Sequence, residues 1–305
     1  MASHRTTARG VLLLLLIGVF TGTANAGVPQ VTAFPVVGNV TYTNDWHDPR
    51  PGGWHEGNDV MSVRHQPAVA FEPGWVEKWS HPAGGVPSCM LVLHGKSGMV
   101  YWYIHLNNDR GPHNDNDAGC RKAYAPGLGY HDQVSRGQLV GFVGDSGDAN
   151  GIQPHLHFEV HKPSGTPINP FEHLNDAKHL LFPRLRPGLG DVTLTLKGAK
   201  VLSKTSSTIT VRTKRVVVAP LGLSFVNRRK VTFAVPVDAN VERKGASGYS
   251  TTDVSSAQVG ERTRVTTDTF APTWSQNALA RFPLTHSDSH RFRCRGIRAS
   301  CCRSG

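Results

Sequence analysis

The sequence predicts an all-β fold, and three observations lead to this prediction. Apolar and polar residues alternate with period two in several segments, most clearly in Gly151–His161. Turns rich in Pro and Gly, such as Pro73-Gly74 and Gly84-Gly85, separate short runs of apolar and β-branched residues. After the N-terminal segment, no stretch carries a helical pattern as long as about 12 residues.

The first 26 residues form a separate segment with the features of a secretory signal peptide. His4, Arg5 and Arg9 precede the apolar run Val11–Phe20, and the small-residue site Ala24-Asn25-Ala26 follows it. The run is shorter than the roughly 18 residues that a membrane span needs. We therefore expect residues 1–26 to be removed, and the mature protein to be exported and to have no membrane segment after cleavage.

Composition divides the rest of the chain into four predicted parts: a first domain at 27–182, a Pro- and Arg-rich linker at 183–190, a small β-rich domain at 191–275, and a basic, disordered tail at 276–305. Residues 27–180 hold ten Lys/Arg against fifteen Asp/Glu, whereas residues 181–305 hold twenty-one against seven. The basic half predicts a polyanionic surface as partner, and outside a cell nucleic acid is not the expected one.

The predicted elements of the first domain follow in chain order. Val28–Thr43 alternates weakly and predicts one or two short strands, while 44–54 is a loop by composition. Lys96-Ser97-Gly98 predicts a hairpin turn, and 107–133 is a long polar insertion. The remaining strand-like runs of this domain are Ala68–Phe71, Trp75–Trp79, Met90–His94, Met99–Leu106, Leu139–Gly144 and the alternating segment before His161. In the C-terminal half, the β-branched runs are Val192–Leu196, Thr208–Val211, Val216–Val218 and Val231–Val237.

Five cysteines allow at most two internal disulfides in an oxidising compartment and leave one thiol over. Cys89 and Cys120 are the two cysteines of the N-terminal half. We expect a bridge between them, with two unpaired thiols as the alternative. The sequence does not indicate how Cys294, Cys301 and Cys302 pair.

The segment around Pro154–His161 carries the clearest functional signal. In an extended strand Leu156, Phe158 and Val160 point into a core, whereas His155, His157 and Glu159 lie on the other face. Two imidazoles on one face suit a metal-bound water between them. The alternative is an ordinary strand with a solvated polar face. For Glu159 we expect a solvated carboxylate, and the alternative is a carboxylate that orients one of the histidines without binding the metal.

Two further segments can complete a zinc site, which for hydrolysis needs three protein ligands and an open position. His55 and Asp59 have the spacing H-x-x-x-D, which brings an imidazole and a carboxylate to one metal. His113 and Asp117 share that spacing within the polar insertion, so the motif alone is weak. His105 ends an aromatic strand, where we expect it on the same face as Tyr101 and Tyr103 and at a position where sites are commonly built.

The ordered set of motifs closely resembles the lysostaphin-type zinc endopeptidases, which cleave peptides of the bacterial cell wall. The resemblance covers roughly residues 34–174 and rests on His55-Glu56-Gly57-Asn58-Asp59-Val60, Pro67-Ala68-Val69-Ala70, Tyr103-Ile104-His105-Leu106, Gly137-Gln138-Leu139-Val140-Gly141 and Pro154-His155-Leu156-His157-Phe158-Glu159. It implies an antiparallel β-sheet domain of the duplicated hybrid motif type, with a cleft between loops. It does not reach residues 190–305.

The resemblance also implies the roles of five residues. His55, Asp59 and His157 would hold one Zn²⁺, while His105 and His155 would be catalytic histidines that do not bind the metal. The residues do not indicate which of those two is the general base. The long insertion and the Ile152-Gln153 loop depart from the family pattern beside the expected cleft, so they leave the substrate preference open.

Together these observations predict an exported, cell-wall-associated zinc endopeptidase that acts on peptidoglycan peptides. The basic C-terminal half predicts a second contact, with anionic polymers of the wall. Two alternatives remain at this stage: a non-catalytic relative that binds wall peptides or activates another hydrolase, and a zinc endopeptidase for Gly-rich extracellular proteins. Which peptide bond is cut and which oligomeric state the protein has are not indicated by the residues.

Overall fold

The computed structural model describes residues 27–29, 31–83, 85–189, 192–235, 240–245, 248–267 and 293–294. The predicted signal peptide lies outside the described residues, and so does the 276–305 tail apart from residues 293–294. Cys301 and Cys302 are outside them as well. The four domain boundaries therefore stay predictions.

The regular elements of the described chain are almost all strands, so the predicted all-β class is confirmed. The strands of the N-terminal part are β1 Pro49–Arg50, β2 Gly53–Trp54, β3 Asn58–Met61, β4 Pro67–Val69, β5 Gly74–Ala83, β6 Val86–Gly95, β7 Val100–Ile104, β8 Gln133–Val134, β9 Leu139–Phe142, β10 His155–His161 and β11 Pro167–Ile168. One short helix, α1 Phe171–Asp176, follows β11, and 3-10 turns lie at Gly119–Lys122 and Gly147–Ala149. None of the described helices has the length and apolar character of a membrane span.

The strand β10 lies second from one end of a seven-stranded antiparallel sheet with the order β11-β10-β7-β6-β5-β8, and the seventh strand, β3, also pairs with β10. The strand β7 pairs with one edge of β10, while β3 and β11 pair with the other. Two small sheets accompany it, β4 with β9 and β1 with β2. This arrangement places the motif-bearing strands β3, β7 and β10 side by side.

One face of β10 enters the core as the alternation predicts. Leu156, Phe158 and Val160 are fully buried. The Phe158 ring packs against Phe71 at 5.2 Å and against Tyr103 at 5.3 Å between ring centroids. Burial of these large side chains is the main stabilisation of the sheet and fixes β10 with its histidine face outward.

The polar insertion 107–133 is anchored by buried charges at its start. Arg64 donates hydrogen bonds to the carboxylates of Asp109 and Asp145, and both acids are fully buried. Asp109 Oδ1 also accepts from the backbone N–H of Asp115 at 2.7 Å. The Cys89–Cys120 disulfide is present and joins the insertion to β6, which confirms the predicted bridge. The insertion is therefore fixed at both of these points.

The C-terminal part forms a second sheet, whose core contains Leu194, Val211, Val216 and Phe233. Its strands are β12 Thr193–Lys204, β13 Thr208–Arg212, β14 Arg215–Ala219, β15 Leu223–Val226, β16 Lys230–Ala234, β17 Asn240–Gly245, β18 Gly248–Thr252, β19 Arg262–Thr266 and β20 Arg293–Cys294. Leu185, inside the predicted linker, is buried in the same core cluster.

The strand prediction for Val28–Thr43 is wrong. The described residues of this segment make only isolated bridges, between Val36 and Ala68, Thr41 and Met61, and Ala33 and Lys178. Pro35 and Gly38 interrupt the alternation, and Gly38 has a φ of 125° that a regular strand does not adopt. The segment crosses the edges of several elements instead of pairing with one of them.

Candidate metal centre

The register of β3 on β10 brings two of the predicted ligands together. Asp59 lies directly opposite His157 in this antiparallel pair, so both side chains leave the same face of the sheet. His55 comes just before β3 and is almost fully buried, with 4% of its surface exposed. The three predicted ligands therefore meet over the sheet although 98 residues separate Asp59 from His157.

Three electron-rich atoms converge at this point. His55 Nε2 lies 2.9 Å from His157 Nδ1 and 3.2 Å from Asp59 Oδ1, and His157 Nδ1 lies 3.1 Å from the same oxygen. One ligand atom from each residue thus forms a compact triangle. Such a triangle needs a positive charge within it, because lone pairs repel one another at this range.

Hydrogen bonds on the outer side of each ring fix which nitrogen carries the proton. His55 Nδ1 lies 2.8 Å from the carbonyl oxygen of Asp45, which can only accept, so Nδ1 is the donor. His157 Nε2 lies 2.8 Å from Glu159 Oε1 and donates to it in the same way. In the neutral rings, His55 Nε2 and His157 Nδ1 then present lone pairs to the centre, as metal ligation requires.

Glu159 is buried and bridges two histidines, so the expected solvated carboxylate is wrong. Its Oε1 accepts from His157, and its Oε2 accepts from His161 Nε2 at 2.5 Å. Burial alone would raise the pKa of Glu159, but these hydrogen bonds lower it to about 2. Glu159 is therefore ionised at neutral pH and holds the His157 ring in its ligating orientation.

Gly57 allows the backbone of residues 55–59 to pass close over this pair. A Cβ at position 57 would lie 2.7 Å from the carbonyl oxygen of Phe158 and 2.8 Å from His157 Nε2. Neither atom belongs to a flexible chain end that could move away. The glycine thus lets the chain cover the His157–Glu159 hydrogen bond and exclude water from it.

Hydrogen bonds within the centre shift the pKa values of His157 and Asp59. Without a bound metal ion, burial alone would lower the pKa of His157, but hydrogen bonds to Asp59 and Glu159 raise it to about 9, so a metal ion has to displace the proton on Nδ1 before that nitrogen can ligate. Burial alone would raise the pKa of Asp59, but its hydrogen bonds with protonated His157 and with His55 hold it well below its ordinary value. Arg50 Nη2 donates to the second oxygen of Asp59 at 2.9 Å and leaves Oδ1 to face the histidines.

His155 and His105 form a second pair beside the triangle, with ring centroids 4.9 Å apart. His155 Nδ1 donates to the carbonyl oxygen of Gln153 at 2.9 Å, and His105 Nδ1 donates to that of Ser146 at 2.8 Å. In the neutral form of each ring, Nε2 is therefore the nitrogen with the lone pair, and it lies on the side away from the anchor. His155 Nε2 lies 3.7 Å from Asp59 Oδ1.

The predicted position of His105 on the tyrosine face is wrong. Tyr101 and Tyr103 are fully buried in the core, and β7 ends at Ile104. His105 has a φ of 60°, a left-handed conformation that stops the strand alternation. The ring is thereby turned to the side of His155, where burial and that neighbour lower the pKa of His105 to about 4.

The donor set of the triangle fits Zn²⁺. Two neutral imidazoles and one carboxylate are ordinary zinc ligands, and a tetrahedral ion with bonds of about 2.0–2.1 Å separates its ligand atoms by about 3.3 Å. The three distances of the triangle, 2.9, 3.1 and 3.2 Å, are close to that value. The other H-x-x-x-D pair does not form such a group, since His113 and Asp117 are exposed.

Sequence reasoning missed the residues that hold the site from outside. Asp45 supplies the carbonyl for His55, and its Oδ1 accepts from Asn58 Nδ2 at 2.5 Å, but the residue lies in a segment interpreted only as loop. Arg50 lies in the small β1–β2 hairpin of the same segment. The carbonyls of Ser146 and Gln153 leave no signal in a sequence, because every residue carries one.

Comparison with known proteins identifies part of this region. Residues 121–170 match the sequence model of Peptidase family M23. That stretch contains His155 and His157, whereas His55, Asp59 and His105 precede it. The match confirms the resemblance to lysostaphin-type peptidases.

Two curated relatives align with parts of the chain. An "Uncharacterized metalloprotease" of Haemophilus influenzae is 28% identical over 116 residues, which are 38% of this chain and 20% of that protein. An L-Ala–D-Glu endopeptidase of Bacillus subtilis is 26% identical over 153 residues, or 46% of this chain and 41% of that protein. The chain thus spans less than half the length of either relative.

Solved structures that align with part of the chain include the catalytic domain of lysostaphin from Staphylococcus simulans. It is 21% identical, has a TM-score of 0.34, and the alignment covers 45% of this chain and 93% of that one. A zinc-containing peptidase from Vibrio cholerae is 23% identical with a TM-score of 0.32, over 45% of this chain and 38% of that one.

Proposed function

Because the chain contains a region of peptidase family M23, we propose that it is an exported zinc endopeptidase that hydrolyses peptide bonds in peptidoglycan stem peptides or cross-bridges. The observation that carries this proposal is the triangle formed by His55, Asp59 and His157 beside the His105–His155 pair. A non-catalytic relative would need none of these five groups to be oriented, and here each histidine is anchored by a hydrogen bond on its outer side.

In the proposed enzyme His55, Asp59 and His157 hold one Zn²⁺, and His105 and His155 carry protons. The bound ion would polarise the scissile carbonyl and lower the pKa of a water toward about 7. Asp59 contributes one negative charge against two neutral rings, so the loaded centre keeps a net positive charge. Arg50 holds the other oxygen of Asp59 and keeps the carboxylate in place during turnover.

His105 and His155 are both able to act as general base in the proposed reaction. In the neutral rings the Nε2 atoms are the ones that can accept a proton, because each Nδ1 donates to a backbone carbonyl. The lowered pKa of His105 keeps this ring neutral at pH 7, as a proton acceptor must be. A proton taken from the attacking water can then be returned to the leaving amine, while the second ring, once protonated, can donate to the oxyanion.

Substitution of single histidines separates the two proposed roles. We expect His157→Ala to lose both zinc and activity, because it removes one of three ligands. We expect His155→Ala to keep about one zinc per chain and to lose roughly 10²–10⁴-fold in turnover. Zinc content by atomic emission and cleavage rate, measured on the same samples, test this division. Equal loss of zinc in both variants would contradict it.

Mass analysis of fragments released from purified peptidoglycan tests the substrate. The Bacillus subtilis relative is an L-Ala–D-Glu endopeptidase, so one expected product carries a new N-terminal D-Glu. A Gly-rich extracellular protein is the comparison substrate. Release of wall peptides with the Gly-rich protein left intact supports the proposal. A zinc-loaded protein that releases no wall fragment would leave a binding or activating role as the better explanation.

Export and processing can be tested on the protein itself. If the first 26 residues are a signal peptide, N-terminal sequencing of protein recovered from outside the cell should begin near Gly27. Protein that keeps the apolar run Val11–Phe20 would show that the segment is not removed.

A further inference from the structure

Four cationic residues lie side by side across four neighbouring strands of the C-terminal sheet. Lys230 of β16 pairs with Arg212 of β13, Arg212 pairs with Lys200 of β12, and Lys200 pairs with Arg262 of β19. Residues that pair directly across antiparallel strands extend their side chains from the same face. We call these four residues the cationic row.

The cationic row faces solvent. Lys200, Arg212, Lys230 and Arg262 are all exposed, whereas the neighbouring Val211 and Val231 are buried on the opposite face. Within the described part of the chain, none of the four takes part in an ion pair. Their charges are therefore not neutralised by neighbouring side chains that the structure describes.

The strands around the row carry no acidic residue. Every charged residue of β12, β13, β14, β16 and β19 is a Lys or an Arg. A second pair of like charges, Lys197 opposite Arg215, lies next to the row, and Arg264 is exposed on β19. The face is therefore positive over several strands.

This arrangement destabilises the free sheet. Like charges placed directly opposite one another on neighbouring strands repel, and strands are about 4.8 Å apart. Four such residues span about 14 Å in a straight line across the sheet. A bound anion of matching length would remove this repulsion, while a compact single anion would reach only part of the row.

The side chains beside the row distinguish between classes of polyanion. Thr210 and Thr232 pair next to Arg212 and Lys230, and their hydroxyl oxygens lie 2.9 Å apart. These two hydroxyls already bond to each other, and Thr210 is buried, so the pair adds no contact for a ligand. The exposed face of these strands offers neither an aromatic surface for base stacking nor an apolar wedge for a membrane, so recognition by the row rests on charge.

We propose that the cationic row is a binding site for a linear phosphate-bearing polymer of the cell wall, which lies across the strands. The choice of a wall polymer rests on the proposed function, because export to the wall is what brings such a polymer within reach. The row holds the enzyme against its substrate and takes no part in the chemistry, so the local concentration of cleavable bonds rises.

The test compares two quadruple variants of the full exported protein. The row variant carries Lys200→Thr, Arg212→Thr, Lys230→Thr and Arg262→Thr, which suit the strands because Thr favours β-structure. The control variant also removes four exposed positive charges, from positions elsewhere in the chain: Lys96→Thr, Lys122→Thr, Lys162→Thr and Lys178→Thr. Both variants have the same net charge, so only the position of the charges differs.

The readout is binding to purified wall between 50 and 200 mM salt, before and after its phosphate polymers are removed with acid. Four phosphate contacts predict a slope of about −3 for log K against log salt, or a loss of roughly 50-fold over this range. On intact wall, we expect the parent and the control variant to show this salt dependence of binding. We expect the row variant and the stripped wall to lose most of the slope.

Several results would overturn the proposal. Equal binding of the row variant and the parent would exclude the row, and an equal loss in the control variant would show that only net charge matters. Tighter binding of the parent to single-stranded DNA or to anionic lipid vesicles than to intact wall would assign the row to another polyanion. A double variant, Lys200→Thr with Arg212→Thr, serves if the quadruple variant fails to fold, and should lose about half of the slope.

Cleavage of a small soluble wall peptide separates this proposal from the proposed function. We expect the row variant to cleave it at the parental rate, because the row lies outside the metal centre. Salt-dependent binding without any cleavage by the parent would refute the enzyme and keep the polymer site. If the parent cleaves the peptide but its wall binding does not depend on the row, the proposed enzyme activity stands and the polymer site is refuted.

Discussion

Replacing Glu159 by Gln tests whether the carboxylate between His157 and His161 sets the metal affinity of the centre. Glutamine has nearly the same shape, but it offers one carbonyl oxygen and one NH₂ donor in place of two acceptors. Only one of the two imidazoles can then keep an acceptor, although both donate to Glu159 in the structure, at 2.8 and 2.5 Å.

The expected loss follows from the tautomer of His157. Where the new amide turns its NH₂ toward His157 Nε2, that nitrogen must become the acceptor and the proton moves to Nδ1, the atom that faces the centre. Loss of an outer partner of this kind costs about 10–100-fold in metal affinity, or roughly 1.4–2.7 kcal/mol. Gly57 and Phe158 cover the pair, so water cannot easily replace the lost acceptor.

Zinc affinity, measured by competition with a chelator of known affinity, is the assay. Glu172→Gln is the matched control, because Glu172 is exposed on α1 and has no hydrogen bond to the centre among the described residues. We expect the control to bind zinc like the parent. If Glu159→Gln binds zinc within twofold of the parent, the outer hydrogen bond does not set the affinity and the reasoning is refuted.

Three further predictions concern stability. Arg64→Met leaves two buried carboxylates without their cation and should lower the free energy of unfolding by about 3–5 kcal/mol. The exposed control Arg121→Met should stay within about 0.5 kcal/mol of the parent. Equal free energies of unfolding for the two variants, measured with denaturant, would contradict this. Replacing Cys89 and Cys120 together by Ser opens a bridge across a sequence separation of 31 residues and should cost roughly 3–4 kcal/mol in the same assay; unchanged stability would exclude the bridge in solution. Burial and the nearby Arg229 lower the pKa of His179 to about 4, so between pH 6.5 and 4 the unfolded chain binds a proton that the folded chain does not, and stability falls as pH falls. After allowance for partial exposure, His179→Phe should remove about 1–2 kcal/mol of that acid destabilisation. An unchanged pH profile of stability in this variant would refute the prediction.

The two faces of β10 could be predicted from its own residues. Alternation alone placed Leu156, Phe158 and Val160 in the core, and all three are fully buried. The same rule put His155, His157 and Glu159 together on the other face. A period of two is a local property of the backbone, so it survives whatever the strand packs against.

The register between distant strands could not be predicted in this way. Asp59 faces His157 because β3 pairs with β10 in one of several possible registers, and a slip of one residue would turn Asp59 to the other face. That His55, Asp59 and His157 form one site was predicted from the resemblance to a family, and not from the spacing of the motifs alone. His113 and Asp117 have the same spacing and remain exposed, which shows how little the spacing alone decides.

The site of Glu159 shows why a polar face in a sequence does not indicate a solvated one. Alternation assigns Glu159 to the histidine face, but its burial depends on the chain that crosses above it. That crossing is possible because position 57 lacks a Cβ, which would lie 3.0 Å from Glu159 Cγ and 2.7 Å from a backbone oxygen. A Gly57→Ala variant would therefore lift the 55–59 segment, admit water to the His157–Glu159 pair and displace His55 and Asp59 together. Gly57, which lies between the proposed ligands His55 and Asp59, is thus required for the close packing against the third ligand, His157, although His157 is distant in the sequence.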